Sequence, residues 1–518
     1  MSQPTTPVRA AELMACLSTA SDLAMGQPAD NAVSTCVVAM RLGDALGFDT
    51  PTLQDVYYET LLRYVGCNAD VGWFASLYGD ELAFRAEYAA MDTADVPALL
   101  DLVRRSIARS EFVTRGLGEG PAVERALGEL PVVMGSFLPG HCEVARRLAE
   151  RMGFPASFVE AVGQIYARWD GQGVPPIAGE AIAPAFLCAS LAHDAVTLYR
   201  LGGLEAATAM ARDRSGGTHA PTMAEVFCAR AATLLRGLDR PPSWQEVLDL
   251  EPGERRMLDD DGLDAALEAV ADFSDLKSPW FLEHSRGVST LAVRAGEVFG
   301  LPATDTRLLG RAALVHDIGK VGVSAALWGS AEPLADREWE AVRLHPYHTG
   351  RVFARSVPLA PIGALAAQHH ERLDGTGYTL GLPAAMQSAS SRVLAAANRF
   401  RALVEARAHR PALAPERAAR QLRAEASAKQ LDEDAVAAVL TAAGERSTWA
   451  RRTAATTLSE REIEVLRLLA RGHTMKEAAG HLHVAYKTVD RHAQNIYAKI
   501  GVSTRAGATL WAVEHGLT

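Results

Sequence analysis

The feature that most constrains the fold of this 518-residue chain is an internal repeat. Residues of the first half match residues of the second half at an offset of 253, and a further series matches at an offset of 204. The first series pairs Ala39 with Ala292, Arg41 with Arg294, Gly43 with Gly296, Gly47 with Gly300, Leu61 with Leu314 and Gly66 with Gly319. The second pairs His141 with His345, Arg168 with Arg372, and Asp170-Gly171-x-Gly173 with Asp374-Gly375-x-Gly377. Such self-similarity predicts two copies of one fold, with 49 extra residues between Cys67 and His141 in the first copy.

The spacing of apolar residues predicts that this fold is helical. In the first half, Ala39, Leu42, Ala45 and Leu46 recur at the three- and four-residue spacing of a buried helix face. Gly47 follows them and is expected to end the helix. Alternating patterns typical of strands are almost absent. The predicted fold class is therefore all-α, with tandem helical domains and a small helical bundle at the end.

Charge is distributed unevenly along the chain. The net charge is −10 overall, but residues 451–518 hold 10 Lys+Arg against 6 Asp+Glu. A basic tail on an acidic body indicates a local module for binding a polyanion.

The six cysteines all precede residue 230 and form no C-x-x-C pair, as expected for reduced thiols. The chain shows no signal-peptide pattern and no apolar run of about 18 residues, so we expect a cytoplasmic protein without a membrane partner.

The motif with the clearest chemistry is His316-Asp317, which closes the apolar run 312–315. A helix that ends in adjacent His and Asp places a neutral nitrogen ligand beside an anionic oxygen ligand, a combination that suits a divalent transition metal. Further histidines lie before and after this pair, at His284, His345, His348, His369 and His370. Their clustering beside a glycine-rich turn indicates a metal site.

With these residues in place, the segment from about Asp275 to Ala442 resembles an HD-GYP domain, a branch of the HD metal-dependent phosphohydrolases. The resemblance implies a helical fold, a site for two or three metals, and hydrolysis of cyclic di-GMP. The implied metal-ligand positions are His284, His316, Asp317, His345, His369, His370 and Asn398. Asp317 and Lys320 are the implied catalytic residues, with Lys320 contacting the scissile phosphate. The implied ligand-binding residues of the name-giving turn are Arg372, Asp374, Gly377 and Tyr378.

Three positions depart from the family pattern. Asn398 stands where the family has its final metal-binding Asp, so the site lacks one negative charge. Trp280 replaces the Glu of the three-metal members, and Thr379 replaces the proline of Gly-Tyr-Pro. We therefore expect at most two metals, and a histidine-rich site suits Fe, Mn, Ni or Zn.

The first copy lacks most of the implied ligands. Asn31 stands at the position of His284, Arg63-Tyr64 at that of His316-Asp317, and Cys67 at that of Lys320. Ile165-Tyr166 replace the paired histidines, and Asp194 aligns with Asn398. Two interpretations stay open. The degenerate copy packs as a pseudo-dimer partner, or its vacated pocket binds a signal molecule.

The C-terminal tail resembles a LuxR-type DNA-binding domain from Leu458 to Leu517. Ser459 and Glu462 form a capping-box pattern. Two short helices with a tight turn at His483-Val484 then form a helix-turn-helix. Its expected DNA-binding residues are Lys487, Thr488, Arg491 and His492 on the recognition helix, with Lys476 and Lys499 as phosphate contacts. The resemblance implies a homodimer formed through the last helix, Arg505 to His515, with half-sites about one helical turn apart.

These patterns divide the chain into five predicted segments: a degenerate HD-GYP-like domain at 1–215, a connecting segment at 216–262, an HD-GYP-like domain at 263–444, a linker at 445–457 and the LuxR-type domain at 458–518. The favoured function is a transcriptional regulator that binds promoter DNA and whose HD-GYP-like helical domains bind metal and/or a small signal ligand, with a cyclic dinucleotide as one candidate. One alternative is an active phosphodiesterase tethered to DNA, and another is an enzyme switched by DNA or a partner. Asn398, Trp280 and Thr379 favour the regulator, because all three depart from the pattern at the site that the chemistry would use.

Overall fold

The computed structural model describes residues 7–92, 94–110, 113, 118–444 and 458–518. These residues are predominantly helical, which confirms the predicted all-α class. Their short strands, Val8–Arg9 and Met257–Leu258, pair antiparallel. The predicted linker 445–457 lies outside the described residues. The chain divides into two compact units, 1–69 with 74–263 and 70–73 with 264–518.

Among the described residues, no helix combines the length and the hydropathy needed to cross a bilayer.

Two helix boundaries in the first half follow from sequence signals. Gly47, with a φ of 76°, caps the helix Asn31–Leu46 as predicted, and Asp49 caps the next one by accepting from the Thr52 N–H. The helices are Ala10–Ala24, Asn31–Leu46, Thr50–Leu62, Val71–Tyr78, Glu81–Tyr88, Val96–Arg109, Glu119–Gly128, Leu130–Val132, Leu138–Arg151, Ala156–Val162, Pro184–Asp213, Pro221–Leu234 and Trp244–Asp249, with a π-helical turn at Val133–Phe137 and a 3-10 turn at Gly179–Ala181.

The predicted connecting segment 216–262 contributes to the first compact unit. It contains the helix Pro221–Leu234, which buries Met223, Phe227 and Leu234. It also contains the strand that pairs with Val8–Arg9.

The second unit repeats the helical pattern and adds the C-terminal bundle. Up to Gly444 its helices are Asp260–Asp275, His284–Phe299, Ala303–Val315, Ala325–Trp328, Asp336–Arg343, His345–Phe353, Ala360–Ala366, Ala389–Val404, Pro415–Ser427 and Glu433–Gly444, with 3-10 turns at Ile318–Gly322 and Ala384–Met386. The bundle consists of Glu460–Ala470, Met475–His481, Tyr486–Ile500 and Arg505–Glu514.

The two halves share element boundaries at the offsets found in the sequence. The helices Asn31–Leu46 and Thr50–Leu62 correspond end for end to His284–Phe299 and Ala303–Val315, and Ala156–Val162 corresponds to Ala360–Ala366. Local contacts also coincide. The Ala32 N–H donates to Asp22 as the Ser285 N–H donates to Asp275, each at 2.9 Å.

One pair of glycines shows how closely the two halves agree. A Cβ on Gly66 would lie 2.0 Å from the His141 carbonyl oxygen, and a Cβ on Gly319 would lie 1.9 Å from that of His345. Only glycine allows the backbones to approach this closely. The same approach therefore brings a histidine-bearing helix against the residues that follow Tyr64 in one half and Asp317 in the other.

Candidate metal centre and DNA-binding helix

The implied metal ligands lie at helix ends or next to them, so packing fixes their directions. His284 and His345 are the first residues of their helices, and His316 and Asp317 follow the helix Ala303–Val315. His369-His370 follow the helix Ala360–Ala366, and Asn398 lies within Ala389–Val404. All except His370 are buried, and His370 is half-buried.

Asp317 is the point on which four of the imidazoles converge. Its Oδ2 lies 3.4 Å from Nε2 of His284 and 3.2 Å from Nε2 of His316. Its Oδ1 lies 3.5 Å from Nε2 of His345 and 3.3 Å from Nε2 of His369. One carboxylate therefore presents each of its oxygens to a different pair of histidines.

The hydrogen bonds of the opposite ring nitrogens determine the state of these histidines. Nδ1 of His316, His345 and His369 donates to the backbone carbonyl three residues earlier, at 2.6–2.7 Å. Nδ1 of His284 lies 2.6 Å from a carboxylate oxygen of Glu405, to which it donates. With the proton on Nδ1, each Nε2 turns a lone pair toward Asp317.

This arrangement fits a cation on each side of the carboxylate. Lone pairs that face a carboxylate without a proton between them repel, and a divalent ion between them removes the repulsion. Nε2 of His316 and Oδ1 of Asp317 are buried and have no hydrogen-bond partner. Two groups have ligand atoms within 4.8 Å of one another, and we call them the Asp317 trio (His284, His316 and Asp317) and the His370 trio (His345, His369 and His370).

Electrostatics favour the metal-binding protonation states. Burial lowers the pKa of His284 to about 4, and it also lowers the pKa values of His345, His369 and His370. Burial alone would raise the pKa of Asp317, but the Lys320 ammonium beside it holds this pKa well below its usual range. Neutral imidazoles around an ionised carboxylate are the forms that bind metal ions.

Lys320 lies at the edge of this centre. Its ammonium forms a short hydrogen bond with Asp317 and lies 4.0 Å from the centroid of the Phe281 ring. Burial lowers the pKa of this lysine, whereas Asp317 acts in the opposite direction. Lys320, which the sequence predicts to contact phosphate, therefore pairs with the Asp317 carboxylate.

The predicted ligand-binding turn is only partly brought to the centre. The Tyr378 ring stacks on His370 at 4.6 Å between centroids, whereas Asp374 is exposed and accepts from Thr376 within the turn. Arg372 and Gly377 are half-buried. A Cβ on Gly377 would lie 2.4 Å from the Arg372 nitrogen, which explains the need for glycine there.

Three charged residues at the site were missed by the sequence reasoning. Glu371 is buried and accepts from the Leu380 and Leu382 N–H groups, so it supports the turn. Glu405 holds His284, and Arg407 donates to both Glu405 and the Trp280 carbonyl. Glu371 had a signal, because it directly follows the paired histidines. Glu405 and Arg407 had none, because they contact His284 across more than 120 residues of sequence.

Comparison with known proteins bears on both parts of the second unit. Residues 268–435 match the family model described as HD domain, and residues 456–512 match bacterial regulatory proteins of the luxR family. The chain therefore contains an HD domain and a luxR-family domain. The predicted resemblances are therefore confirmed. We call residues 268–435 the HD domain and residues 456–512 the luxR domain.

Individual relatives share either most of the chain or one domain. A 3'3'-cGAMP-specific phosphodiesterase 3 of Vibrio cholerae is 29% identical over 408 residues, which cover 78% of this chain and 88% of that protein. A cyclic di-GMP phosphodiesterase of Thermotoga maritima is 30% identical over 28% of this chain and 39% of its own length. The response regulator VraR of Staphylococcus aureus is 42% identical over 60 residues, 12% of this chain and 29% of VraR.

A solved structure supports the fold beyond the HD domain. The crystal structure of a cyclic GMP-AMP-specific phosphodiesterase of V. cholerae matches with a TM-score of 0.57 and 24% sequence identity. The match covers 85% of this chain and 98% of that one. The same arrangement of helices therefore extends through the degenerate first half.

In the first half, other groups occupy the positions of the metal ligands. Asp194, which aligns with Asn398, accepts from Arg214 at 2.6 Å and lies 3.1 Å from Nε2 of His219. The Tyr64 hydroxyl, which aligns with Asp317, lies 2.8 Å from Nε2 of His193. Within the described residues, no group with metal-ligand spacing was found in this half.

The luxR domain presents a charged recognition helix. Ser459 and Glu462 form the predicted capping box, and Thr474 and Glu477 form another. In the helix Tyr486–Ile500, Lys487 and Arg491 are exposed, and Thr488 and His492 are half-buried. Lys476 is also exposed.

Lys499 is placed differently from the other predicted DNA contacts. Its ammonium lies 2.7–2.8 Å from both carboxylate oxygens of Glu462, the residue of the first capping box. A phosphate would therefore have to compete with Glu462 for this ammonium.

Proposed function

We propose that this protein is a DNA-binding transcriptional regulator whose HD domain holds a pair of divalent metal ions and binds a small signal ligand. The convergence of four unprotonated Nε2 atoms on the two oxygens of Asp317 carries the proposal for the metal. The Asp317 trio and the His370 trio hold one ion each. Asn398 adds its neutral side-chain oxygen 3.2 Å from Nε2 of His284. The nitrogen-rich donor set suits Fe, Mn, Ni or Zn.

The ligand that we propose is a cyclic dinucleotide, the class named in the relatives' activities. Lys320 and Arg407 supply positive charge beside the metal ligands, and the Tyr378 ring offers an aromatic surface at His370. Bound metals would bind phosphate oxygens and activate a water molecule. Lys320 and Arg407 orient the phosphate. Glu371 fixes the turn that carries Tyr378.

A short segment supports communication between the ligand site and the luxR domain. In this coupling segment, residues 279–283, the Phe281 ring contacts Lys320, and the Trp280 carbonyl accepts from Arg407. Leu282 packs on the apolar core of the luxR domain, and Glu283 accepts from the Thr518 N–H at 3.0 Å. The next residue is His284. Occupancy of the centre thus acts on residues that touch the DNA-binding domain.

DNA binding rests on the exposed basic face of the recognition helix. Lys487 and Arg491 are one helical turn apart and read base edges, Thr488 and His492 border them, and Lys476 contacts phosphate. We propose that the protein acts as a homodimer through the helix Arg505–Glu514 and works in the cytoplasm.

A second candidate function is favoured by a specific observation. Both metal trios and Lys320 are in place despite Asn398, so the centre retains the groups that phosphodiester hydrolysis would use. This chemistry would make the protein a phosphodiesterase tethered to DNA. Measured turnover of cyclic dinucleotides by the metal-loaded chain decides between a sensor and an enzyme.

The metal is tested by measuring the metal content of the chain purified without chelators, beside an His316→Ala/Asp317→Ala double variant. We expect about two ions per chain in the wild type, because two trios are present, and their loss in the variant. A metal-free wild type would contradict the proposal.

DNA binding is tested by a mobility shift with genomic fragments at several salt concentrations. We expect Lys487→Ala/Arg491→Ala to abolish the shift and the matched Arg423→Ala/Lys429→Ala to leave it intact, because the latter removes two exposed charges outside the luxR domain. A shift that is equally weak in both variants would contradict the assigned surface.

Ligand sensing predicts that cyclic di-GMP or cGAMP changes the protein concentration at which half of the DNA is shifted by the wild type.

A further inference from the structure

His284 differs from the other three histidines around Asp317 in what holds its ring. Their Nδ1 atoms donate to neutral backbone carbonyls. That of His284 donates to the Glu405 carboxylate at 2.6 Å. A charge-assisted hydrogen bond is stronger than a neutral one, and it makes the opposite ring nitrogen more basic.

The Glu405 carboxylate is itself held in place. It immediately follows the helix Ala389–Val404, its side chain is 18% exposed, and Arg401 contacts its Oε1 at 2.6 Å. Arg407 donates to its Oε2 at 3.0 Å. The Arg407 guanidinium also lies 3.4 Å from Nδ1 of His284, but the closer carboxylate determines that Nδ1 carries the proton. The ring of His284 therefore cannot turn without breaking this network.

The same histidine faces the position where the centre has lost a charge. Its Nε2 lies 3.2 Å from Oδ1 of Asn398, which replaces the family's carboxylate. An amide oxygen binds a divalent cation more weakly than a carboxylate oxygen does. Glu405 lies on the opposite side of the His284 ring from Asn398. Its carboxylate does not touch the ion, but its hydrogen bond to Nδ1 strengthens Nε2 as a ligand.

We propose that Glu405 is the positioning residue of the Asp317 trio: it fixes His284 with Nε2 toward the ion and gives that half of the centre the anionic character that Asn398 does not supply. This inference rests on the proposed function, because it concerns the same metal centre. It assigns a role to a residue that neither the ligand motif nor the turn motif contains.

The test compares Glu405→Gln, Asn398→Asp and the double variant in the full-length chain. Glutamine keeps an oxygen that accepts from Nδ1 and loses the charge. The affinity for Zn²⁺ is measured by competition with a chromophoric chelator, and Co²⁺ absorption spectra report the coordination of each site. We expect Glu405→Gln to weaken one of the two Zn²⁺ sites about 10- to 100-fold, and we expect Asn398→Asp to restore that site in the double variant.

The controls separate this role from a general loss of structure. Glu297→Ala changes an exposed carboxylate on the His284 helix and should leave both sites unchanged. Equal weakening of both sites in Glu405→Gln, with a lowered melting temperature and no rescue by Asn398→Asp, would overturn the inference. If the wild type binds two ions and Glu405→Gln leaves both Zn²⁺ affinities unchanged, the inference about Glu405 is overturned and the proposed function is not. A wild type without metal would overturn the proposed function together with it.

Discussion

The two halves of this chain place different chemistry on equivalent helices. In the HD domain, Asp317 lies among four imidazoles whose Nε2 atoms point at it. In the first half, the carboxylate of Asp194 is neutralised by the Arg214 guanidinium at 2.6 Å, and Tyr64 takes the position of the central Asp. The HD domain leaves atoms of Asp317 and His316 without hydrogen-bond partners. In the first half, the Arg214 guanidinium supplies the positive charge beside Asp194.

This difference explains why the first half folds without the ligand set. A buried carboxylate requires a positive partner, because an unpaired buried charge is costly. Arg214 provides that partner to Asp194, and it also donates to the Ala90 carbonyl. The helices around the two centres can therefore stay the same while the source of the positive charge changes.

The largest effect should come from removing the carboxylate that serves both ions. Asp317→Asn should abolish binding at both sites, because each oxygen faces its own pair of histidines, and the affinity should fall more than about 100-fold. Metal analysis after gel filtration checks this. If the variant kept one tightly bound ion, Asp317 would not bridge the two trios, and the contrast with the first half would weaken.

Asp194→Asn should destabilise the first half without changing the metal content. It leaves the Arg214 guanidinium buried without its counter-charge, which costs about 3–5 kcal/mol in the free energy of unfolding. Urea unfolding monitored by hydrogen exchange assigns the loss to a region of the chain. A loss of bound metal in this variant would show that the two centres are not independent.

A pH dependence of stability should arise from His141, one of the buried histidines of the first half. Burial, followed by the nearby Arg85, lowers the pKa of His141 to about 3. Between about pH 6.5 and pH 3 the unfolded chain therefore binds a proton that the folded chain does not, so acidification lowers the free energy of unfolding. His141→Gln should flatten this dependence by about 1 kcal/mol per pH unit.

The pH comparison is made between wild type and variant from pH 7 to pH 5. Glu59, whose pKa burial raises to about 7, acts in the opposite direction but is present in both proteins and cancels. Parallel stability curves for the two proteins would contradict a neutral buried His141.

The smallest effect is expected from restoring ligand residues to the first half. The triple variant Asn31→His/Arg63→His/Tyr64→Asp recreates the Asp317 trio by sequence. It should bind no additional ion, because His141, Ile165 and Tyr166 do not recreate the His370 trio. In addition, the Arg214 guanidinium still pairs with Asp194. Metal analysis beside the wild type checks this, and one extra ion per chain would show that the ligand residues alone determine binding.

Much of this arrangement could be predicted from sequence because it depends on local patterns. The repeat offsets located equivalent helices, and the His-Asp motif with its following histidines located the side chains that converge around Asp317. Glu405 could not be found this way, since it meets His284 only after the chain has folded back over 121 residues. Lys499 was expected to contact phosphate from its place in the motif, whereas its pairing with Glu462 depends on how two helices pack.

The Arg214–Asp194 pair has a consequence for how such a chain can evolve. On the proposed function, a single substitution at Asp317 would release both metal ions from the HD domain. In the first half, Arg214 pairs with the carboxylate of Asp194. Regaining metal binding there requires this arginine to leave and several ligand residues to return together. Each intermediate on that route would leave a charge buried alone, which is costly, or a ligand set incomplete. Loss of the centre is thus a short mutational path, and its recovery is a long one.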